Sequence, residues 1–195
     1  MLPRLLAAAA LAAALAPALP GPSRAQSAAP LEASAYTKAT PRRVVRMTFD
    51  GPAEAAQEHL LRHVDRFDPT IVEVRFDNAG SATPGEIGVG SVRICVFEDG
   101  RELHEPILAY ESGVSHAYTV DAEASTLGLP VSEITLLYDF VEAGGATDVT
   151  VRAFYDPRIP GTGPVIEPVL TGTLRRTFQA AVDRFGGTYL GDEKP

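Results

Sequence analysis

The chain has 195 residues and a formal net charge of −8 at pH 7, with 45% hydrophobic and 22% charged residues. A chain of this length makes one domain that buries about 70% of the surface of its unfolded state. The negative charge argues against binding to nucleic acid and to anionic membrane surfaces, because both would repel the protein at long range.

Residues 1–25 have the pattern of a secretory signal peptide. Arg4 provides a short positively charged start, an apolar run of alanine and leucine follows at 5–19, and small residues lead to a cleavage site after Ala25. Prolines interrupt the apolar run, whereas a stable membrane span needs about 20 apolar residues. We therefore predict a cleaved signal peptide, no stable membrane span, and a periplasmic or secreted protein.

The mature chain begins with a segment at 26–41 that is rich in Ala, Ser, Thr and Pro and has no apolar period, so we predict a flexible leader. The first strand is predicted from Arg42 to Phe49. The turn at 50–52 leads into a helix, because Pro52 suits a position near the first helical residue. This helix continues through Leu60, and a shorter helical piece follows before the second strand.

Six more strands are predicted after this helical region. The second strand covers 70–76, and the stretch from Gly88 to Asp121 contains three strands joined by two tight turns. Asp99-Gly100 forms the first of these turns, because Asp-Gly supplies the positive backbone angles that a two-residue hairpin needs. Two further strands are predicted at 133–141 and 147–155.

The only long helix of the mature chain follows a Pro/Gly linker at 157–164. Apolar residues recur in it at spacings of three and four, and Gly186-Gly187 ends it. This apolar stripe contains Leu170, Leu174, Phe178, Ala181, Val182 and Phe185. One amphipathic helix facing a curved antiparallel sheet of six to seven strands is an α+β architecture. The predicted domain spans 42–190, with a short tail at 191–195.

Several short motifs in the predicted sheet carry a family resemblance. They are Gly88-x-Gly90-Ser91-Val92-Arg93, Asp99-Gly100-Arg101, Glu105, Tyr118-x-Val120, Leu129-Pro130-Val131 and Gly144-Gly145-Ala146-Thr147. With these motifs the chain resembles the START-like superfamily, also called SRPBCC, which includes polyketide cyclase/dehydratase-like and birch-pollen-allergen-like proteins. The resemblance implies a helix-grip fold, in which the sheet wraps around the C-terminal helix and leaves an apolar cavity between them.

The sequence departs from the family pattern in having no tryptophan and in placing Gln57 where an aromatic residue is expected on the first helix. Members of the superfamily share no single catalytic set, so the resemblance assigns no catalytic residue.

Six residues are predicted to bind a ligand in such a cavity: Arg93, His116, Tyr118, Tyr138, Tyr155 and Phe178. The three tyrosines lie on strand faces that we assign to the inside, where their hydroxyls could fix the polar end of a ligand. The alternative is that they are ordinary core tyrosines with hydroxyls bonded to backbone or water. Arg93 would hold an anionic group if it points inward. We favour an outward position, in which its stem covers the sheet.

Other chemistry has little support in the sequence. His59 and His63 have metal-ligand spacing on the first helix, but a third ligand and the His-Glu-x-x-His order are missing, so we predict no metal site. His104 or His116 could carry a proton if paired with a nearby glutamate. We find no nucleophile elbow, phosphate loop or dinucleotide fingerprint, and predict no cofactor. Cys95, the only cysteine, is predicted to be a small buried hydrophobe.

These observations favour an exported, non-catalytic protein that binds an apolar or aromatic small molecule or lipid. One alternative is an enzyme of the polyketide cyclase/dehydratase type, in which a tyrosine or histidine of the pocket transfers protons. Another is a partner-binding domain with a collapsed core and no pocket.

Overall fold

The computed structural model describes residues 29–195, and the predicted signal peptide lies outside the described residues. The described residues form one eight-stranded antiparallel sheet and two α-helices. The elements are β1 (Pro41–Asp50), α1 (Ala53–Arg62), β2 (Ile71–Asp77), β3 (Val92–Phe97), β4 (Glu102–Glu111), β5 (Ser115–Thr119), β6 (Val131–Ala143), β7 (Ala146–Pro157), α2 (Gly163–Phe185) and β8 (Gly187–Glu193). The strands lie in the order β2-β3-β4-β5-β6-β7-β1-β8.

The predicted α+β helix-grip fold is confirmed, and so is the end of the long helix, which is capped by Gly186. The structure adds an eighth strand, because the chain turns back directly after α2 and pairs with β1, placing Tyr189 opposite Met47. Residues 191–193, which we predicted as part of a tail, belong to this strand. Its glycines and short length hid the alternating pattern by which strands are recognised.

The hairpin between β3 and β4 is also confirmed, but its turn is not the two-residue turn that we predicted. Asp99 does not have a positive φ, and the amide of Phe97 donates to the carbonyl of Arg101, so the loop has three residues, 98–100. Gly100 has a φ of +78°, and its amide donates a hydrogen bond to the carbonyl of Phe97. The pairing that follows from this turn places Val96 opposite Glu102 and Arg93 opposite Glu105. The turn therefore sets which side chains meet across the two strands.

Residues 29–40 are packed, although we predicted a flexible leader there. The amide of Leu31 donates to Asp139 Oδ1 at 2.9 Å, and Arg152 Nη2 donates to the carbonyl of Leu31 at 2.6 Å. Ala39 is buried beside Leu137, on the face of the sheet opposite α2. The segment lies there because this outer face also carries apolar side chains that need covering.

The main core lies between the sheet and the second half of α2. In this helix Phe178, Ala181 and Val182 are buried, as the apolar stripe predicted. They pack against inward-facing residues of several strands, among them Val45, Met47, Phe49, Tyr138, Phe140, Val149 and Val151. The first half of α2 differs, since no residue before Thr171 is buried and Pro168 lies within the helix.

Candidate functional site

A cavity of about 80 Å³ lies between the sheet, α1 and α2. Most of its walls are aliphatic or aromatic, and its polar lining residues come from β3, β5, β6 and α2. The lining residues are Leu60, Val64, Phe67, Arg93, Tyr118, Leu136, Tyr138, Leu174, Thr177 and Phe178. Four of the six predicted ligand-binding residues therefore share one space: Arg93, Tyr118, Tyr138 and Phe178.

Arg93 points inward, and our preference for an outward position was wrong. Its side chain is only 3% exposed and forms an ion pair with Glu105, with 2.7 Å between Nε and Oε2. Nη1 donates to the carbonyls of Leu60 and Leu61 at 3.2 and 3.3 Å. A buried charge needs such partners. Glu105 provides the counter-charge from the facing strand, and α1 provides the two carbonyls.

Tyr118 and Tyr138 form a hydroxyl pair at the same end of the cavity. Their oxygens are 2.9 Å apart, and the Arg93 guanidinium lies 4.2 Å from the centre of the Tyr118 ring. Burial raises the pKa of Tyr118 to about 12 and that of Tyr138 well above its ordinary value. Both hydroxyls are therefore protonated at physiological pH, beside a permanent positive charge.

His116 lies behind this pair rather than in the cavity wall. Its ring stacks on Tyr138 with 4.2 Å between ring centres, and burial, followed by the charge of Arg93, lowers its pKa well below the usual value. The imidazole is therefore neutral. Its Nε2 has no hydrogen-bond partner among the described residues.

Gln57 holds the other side of His116, a role that the sequence did not suggest. Its Oε1 accepts from the amide of Gly113 at 2.8 Å, and its Nε2 donates to the carbonyl of Ser115 at 3.1 Å. The same Nε2 lies 3.5 Å from Nδ1 of His116. The signal available in the sequence was a glutamine at helical spacing among the apolar residues of α1. In the structure this glutamine is buried, and its hydrogen bonds fix α1 to the turn between β4 and β5.

Glu105 is a second residue that we did not assign to the site. It lies directly opposite Arg93 because the loop between β3 and β4 has three residues, 98–100. The two-residue Asp99-Gly100 turn that we predicted would instead place Ile94 opposite Glu105. Cys95 Sγ lies 3.5 Å from Glu105 Oε2, and burial raises the pKa of its thiol, which agrees with the predicted inert, buried cysteine.

Tyr155 does not share the cavity with the other tyrosines, contrary to our prediction. It is buried, but Arg42 packs over its ring with 5.5 Å to the centre, and its hydroxyl has no hydrogen-bond partner among residues 29–195. Tyr155 lies on β7 opposite Ile134 of β6. The cavity residue Tyr138 lies on β6 opposite Val151, four residues before Tyr155 on β7. Distance along β7 therefore separates the two sites.

A larger, open groove of about 770 Å³ lies beside the first half of α2, between the helix and β1. It is lined by Arg42, Arg43, Gly163, Pro164, Glu167, Pro168, Thr171, Gly172, Arg175 and Lys194. Glu167 pairs with Lys194 at 2.7 Å and with Arg43 at 3.4 Å, and Arg175 pairs with Asp192 at 2.8 Å. The cations of this groove are thus largely neutralised by their neighbours.

Other sites considered in the sequence do not assemble in the described part of the chain. His59 stacks on Phe185 with 3.9 Å between ring centres, and no group of three or more His, Cys, Asp or Glu residues at 29–195 is arranged to hold a metal ion. Within the same range, no helix has both the length and the apolar character needed to cross a membrane.

Comparison with known proteins gives one family match. The family described as "Polyketide cyclase / dehydrase and lipid transport" matches residues 31–187. A search of curated proteins gives no match.

Solved structures share the fold at low sequence identity. A START superfamily protein from Mycobacterium smegmatis is 14% identical with a TM-score of 0.55, covering 73% of this chain and 97% of its own. Ara h 8.0201 is 16% identical with a TM-score of 0.53, and the covered shares are 73% and 95%. Norcoclaurine synthase from Thalictrum flavum, solved with dopamine and hydroxybenzaldehyde, is 15% identical with a TM-score of 0.53 over 74% of this chain and 86% of its own.

Proposed function

The chain belongs to the polyketide cyclase / dehydrase and lipid transport family, and we propose that it is an exported, non-catalytic protein that binds a small apolar or aromatic molecule or lipid. One observation carries the proposal. Arg93, Tyr118 and Tyr138 meet at one end of a cavity whose other walls are mainly apolar. Such a combination of an apolar space with a few convergent polar groups is typical of ligand sites.

The tyrosine pair defines the polar end of the ligand. Each hydroxyl carries one proton, but the single contact between Tyr118 and Tyr138 uses only one of the two. The structure gives neither hydroxyl a second acceptor within residues 29–195, so one O–H remains free to donate into the cavity. This free donor favours an acceptor such as a carbonyl, phenolate or carboxylate oxygen, while the charge of Arg93 is itself compensated by Glu105.

The ligand must enlarge the cavity, because drug-sized ligands occupy about 300–1,000 Å³ and the cavity holds about 80 Å³. The first half of α2 is the part that can move at low cost. It buries no residue before Thr171, and Pro168 removes one of its backbone hydrogen bonds. Outward movement of this half would lengthen the cavity past Leu174 without disturbing the core around Phe178.

An enzyme of the cyclase/dehydratase type is the second candidate, and one observation favours it. His116 is neutral, stacks on Tyr138 and has an unpartnered Nε2. Because His116 does not line the cavity, protons would be exchanged with the substrate by the tyrosine pair, and His116 would act as a positioning residue. Turnover of a bound carbonyl compound that is lost on replacing Tyr118 and Tyr138 with phenylalanine would favour this candidate over a binding protein.

Binding of the anionic fluorescent dye anilinonaphthalene sulfonate to mature protein (residues 26–195) tests the proposal. We expect wild-type protein to bind it, and the Tyr118→Phe/Tyr138→Phe double variant to bind about tenfold more weakly, because donors to a charged acceptor are lost. Tyr155→Phe is the matched control, since it removes a buried hydroxyl outside the cavity, and it should bind like wild type.

Two results would refute the proposal. The first is a wild-type protein that binds neither this dye nor fatty acids when native mass spectrometry is used. That result would support the alternative of a partner-binding domain that has a collapsed core and no pocket. The second is that the double variant and Tyr155→Phe weaken dye binding equally, which would mean that the dye does not bind at the tyrosine pair.

A further inference from the structure

The loop before α2 and the first half of α2 expose an unusual amount of aliphatic surface. Ile159, Val165 and Val169 are 64%, 74% and 63% exposed, and they are half of the large hydrophobic residues that are exposed in the described chain. Prolines at 160, 164 and 168 extend this apolar character. Contiguous exposed apolar surface marks an interaction site more often than isolated residues do.

The exposed side chains are arranged on one side of the helix. Val165, Val169 and Arg176 follow one another at spacings of four and seven residues, which places them in line on one helical face. All three are exposed, so within residues 29–195 this face has no packing partner. Arg176 places a positive charge at the end of this face that is nearer the middle of α2.

The charge of this region is opposite to that of the whole chain. The stretch from 157 to 176 holds three arginines and one glutamate, in a chain of net charge −8. The glutamate, Glu167, is paired with Arg43 and Lys194. Arg158 and Arg176 form no ion pair with any described residue, and both are exposed. The region therefore presents uncompensated positive charge beside its aliphatic side chains.

We propose that this surface, formed by Ile159, Val165, Val169, Arg158 and Arg176, docks on a lipid bilayer that contains anionic lipids. Aliphatic side chains that enter the headgroup region, flanked by arginines that contact phosphate, are the combination by which a helix lies on an anionic interface. The net charge of the chain repels such a surface at long range, so insertion of the aliphatic side chains has to supply the affinity. Docking would place the loosely packed half of α2 against the lipid.

The absence of tryptophan from the sequence gives a direct test, because Val165→Trp introduces a single fluorophore at the centre of the surface. Mature protein is mixed with vesicles of phosphatidylcholine that contain phosphatidylglycerol, and with vesicles of phosphatidylcholine alone. We expect a blue shift of the emission with the anionic vesicles only. Val72→Trp is the matched control: Val72 is 55% exposed on β2, at the opposite edge of the sheet, and its emission should not shift.

Co-sedimentation with the same vesicles completes the test without a fluorophore. Val165→Asp/Val169→Asp should weaken binding by about tenfold or more, because the free energy of transferring two valine side chains from water into the lipid is lost, while Val72→Asp should bind like wild type. The proposal is overturned by equal binding of wild type and the double variant, by equal shifts at the two tryptophan positions, or by binding that does not depend on the anionic lipid. A shift that grows with protein concentration in the absence of vesicles would also overturn it, and would assign the surface to a second copy of the chain.

Discussion

Helix α2 lies beside two cavities that are associated with the same kind of ion pair in different surroundings. Beside its second half, the cavity of about 80 Å³ is lined by Arg93, which pairs with Glu105; their side chains are 3% and 5% exposed. Beside its first half, the groove of about 770 Å³ is lined by Arg43 and Glu167, with 16% and 21% exposed. The Arg93 pair also has a tyrosine ring and backbone carbonyls around it.

The difference shows how burial changes the role of a charge. In the groove, solvent and a second cation, Lys194, share the charge of Glu167, so either partner can be replaced at little cost. In the cavity, Arg93 depends on Glu105 because no water replaces a lost partner. The cavity therefore borders a buried pair whose two charges compensate each other, and the groove borders a pair whose charge is shared with solvent and with Lys194.

The largest expected effect tests whether the two halves of α2 contribute differently to stability. Phe178→Ala removes a buried ring from the cavity and should lower the free energy of unfolding by about 3–5 kcal/mol. Thr171→Ala, seven residues earlier, removes beside the groove the hydroxyl that accepts from Arg43 Nε at 3.0 Å, and should cost about 1 kcal/mol. Urea unfolding followed by circular dichroism measures both. Similar costs for the two variants would show that the first half of α2 is as firmly packed as the second.

A smaller effect is expected when the two ion pairs are compared directly. Glu105→Gln leaves the buried guanidinium without its counter-charge and should destabilise the protein by about 3 kcal/mol. Glu167→Gln should cost about 1 kcal/mol or less, because its partners stay in contact with water. Chemical denaturation of both variants gives the comparison. The double variant Arg93→Met/Glu105→Leu should recover most of the lost stability, because it removes both buried charges. If it does not, the ion pair itself stabilises the folded protein.

The sequence was sufficient for the frame of the fold and for part of the cavity. Asp99-Gly100 indicated the hairpin between β3 and β4, but the observed pairing follows from a three-residue loop and differs by one residue from the register of a two-residue turn. The apolar stripe of α2 and its stop at Gly186 gave the helix that covers the sheet. Tyr118, Tyr138 and Phe178 were placed on the correct faces because alternation and helical spacing are local properties.

What the sequence missed depends on contacts between distant residues. Hydropathy put Arg93 outside, since a single charge in a strand costs free energy when buried and only a partner on another strand removes that cost. Residues 29–40 pack because the outer face of the sheet offers Leu137 and Ala117, which is invisible within the segment itself. The size of the cavity depends on how the first half of α2 meets the sheet, and no local pattern reports that.

The smallest expected effect is the pH dependence of stability, which should be larger for the fully buried His116 than for the half-buried His59. His116 is fully buried and its folded pKa lies well below 6.5, first through burial and then through the charge of Arg93. Below pH 6.5 the unfolded chain binds a proton at this residue that the folded protein does not bind. The stability linked to neutral His116 is therefore complete above pH 6.5 and is lost as pH falls, by up to about 1.4 kcal/mol per pH unit.

Urea unfolding of wild type and His116→Asn between pH 7.5 and 5 measures this linkage as the difference in slope against pH. The asparagine variant should be flatter below pH 6.5. His59→Asn is the control, because His59 is only half-buried and burial also lowers its pKa, so its replacement should flatten the slope less. Parallel slopes for wild type and His116→Asn would mean that His116 gains a proton in the folded protein, which requires either water or a ligand oxygen to reach its unpartnered Nε2. In that case the layer behind the tyrosine pair is open to the cavity, and His116 is within reach of whatever the cavity binds.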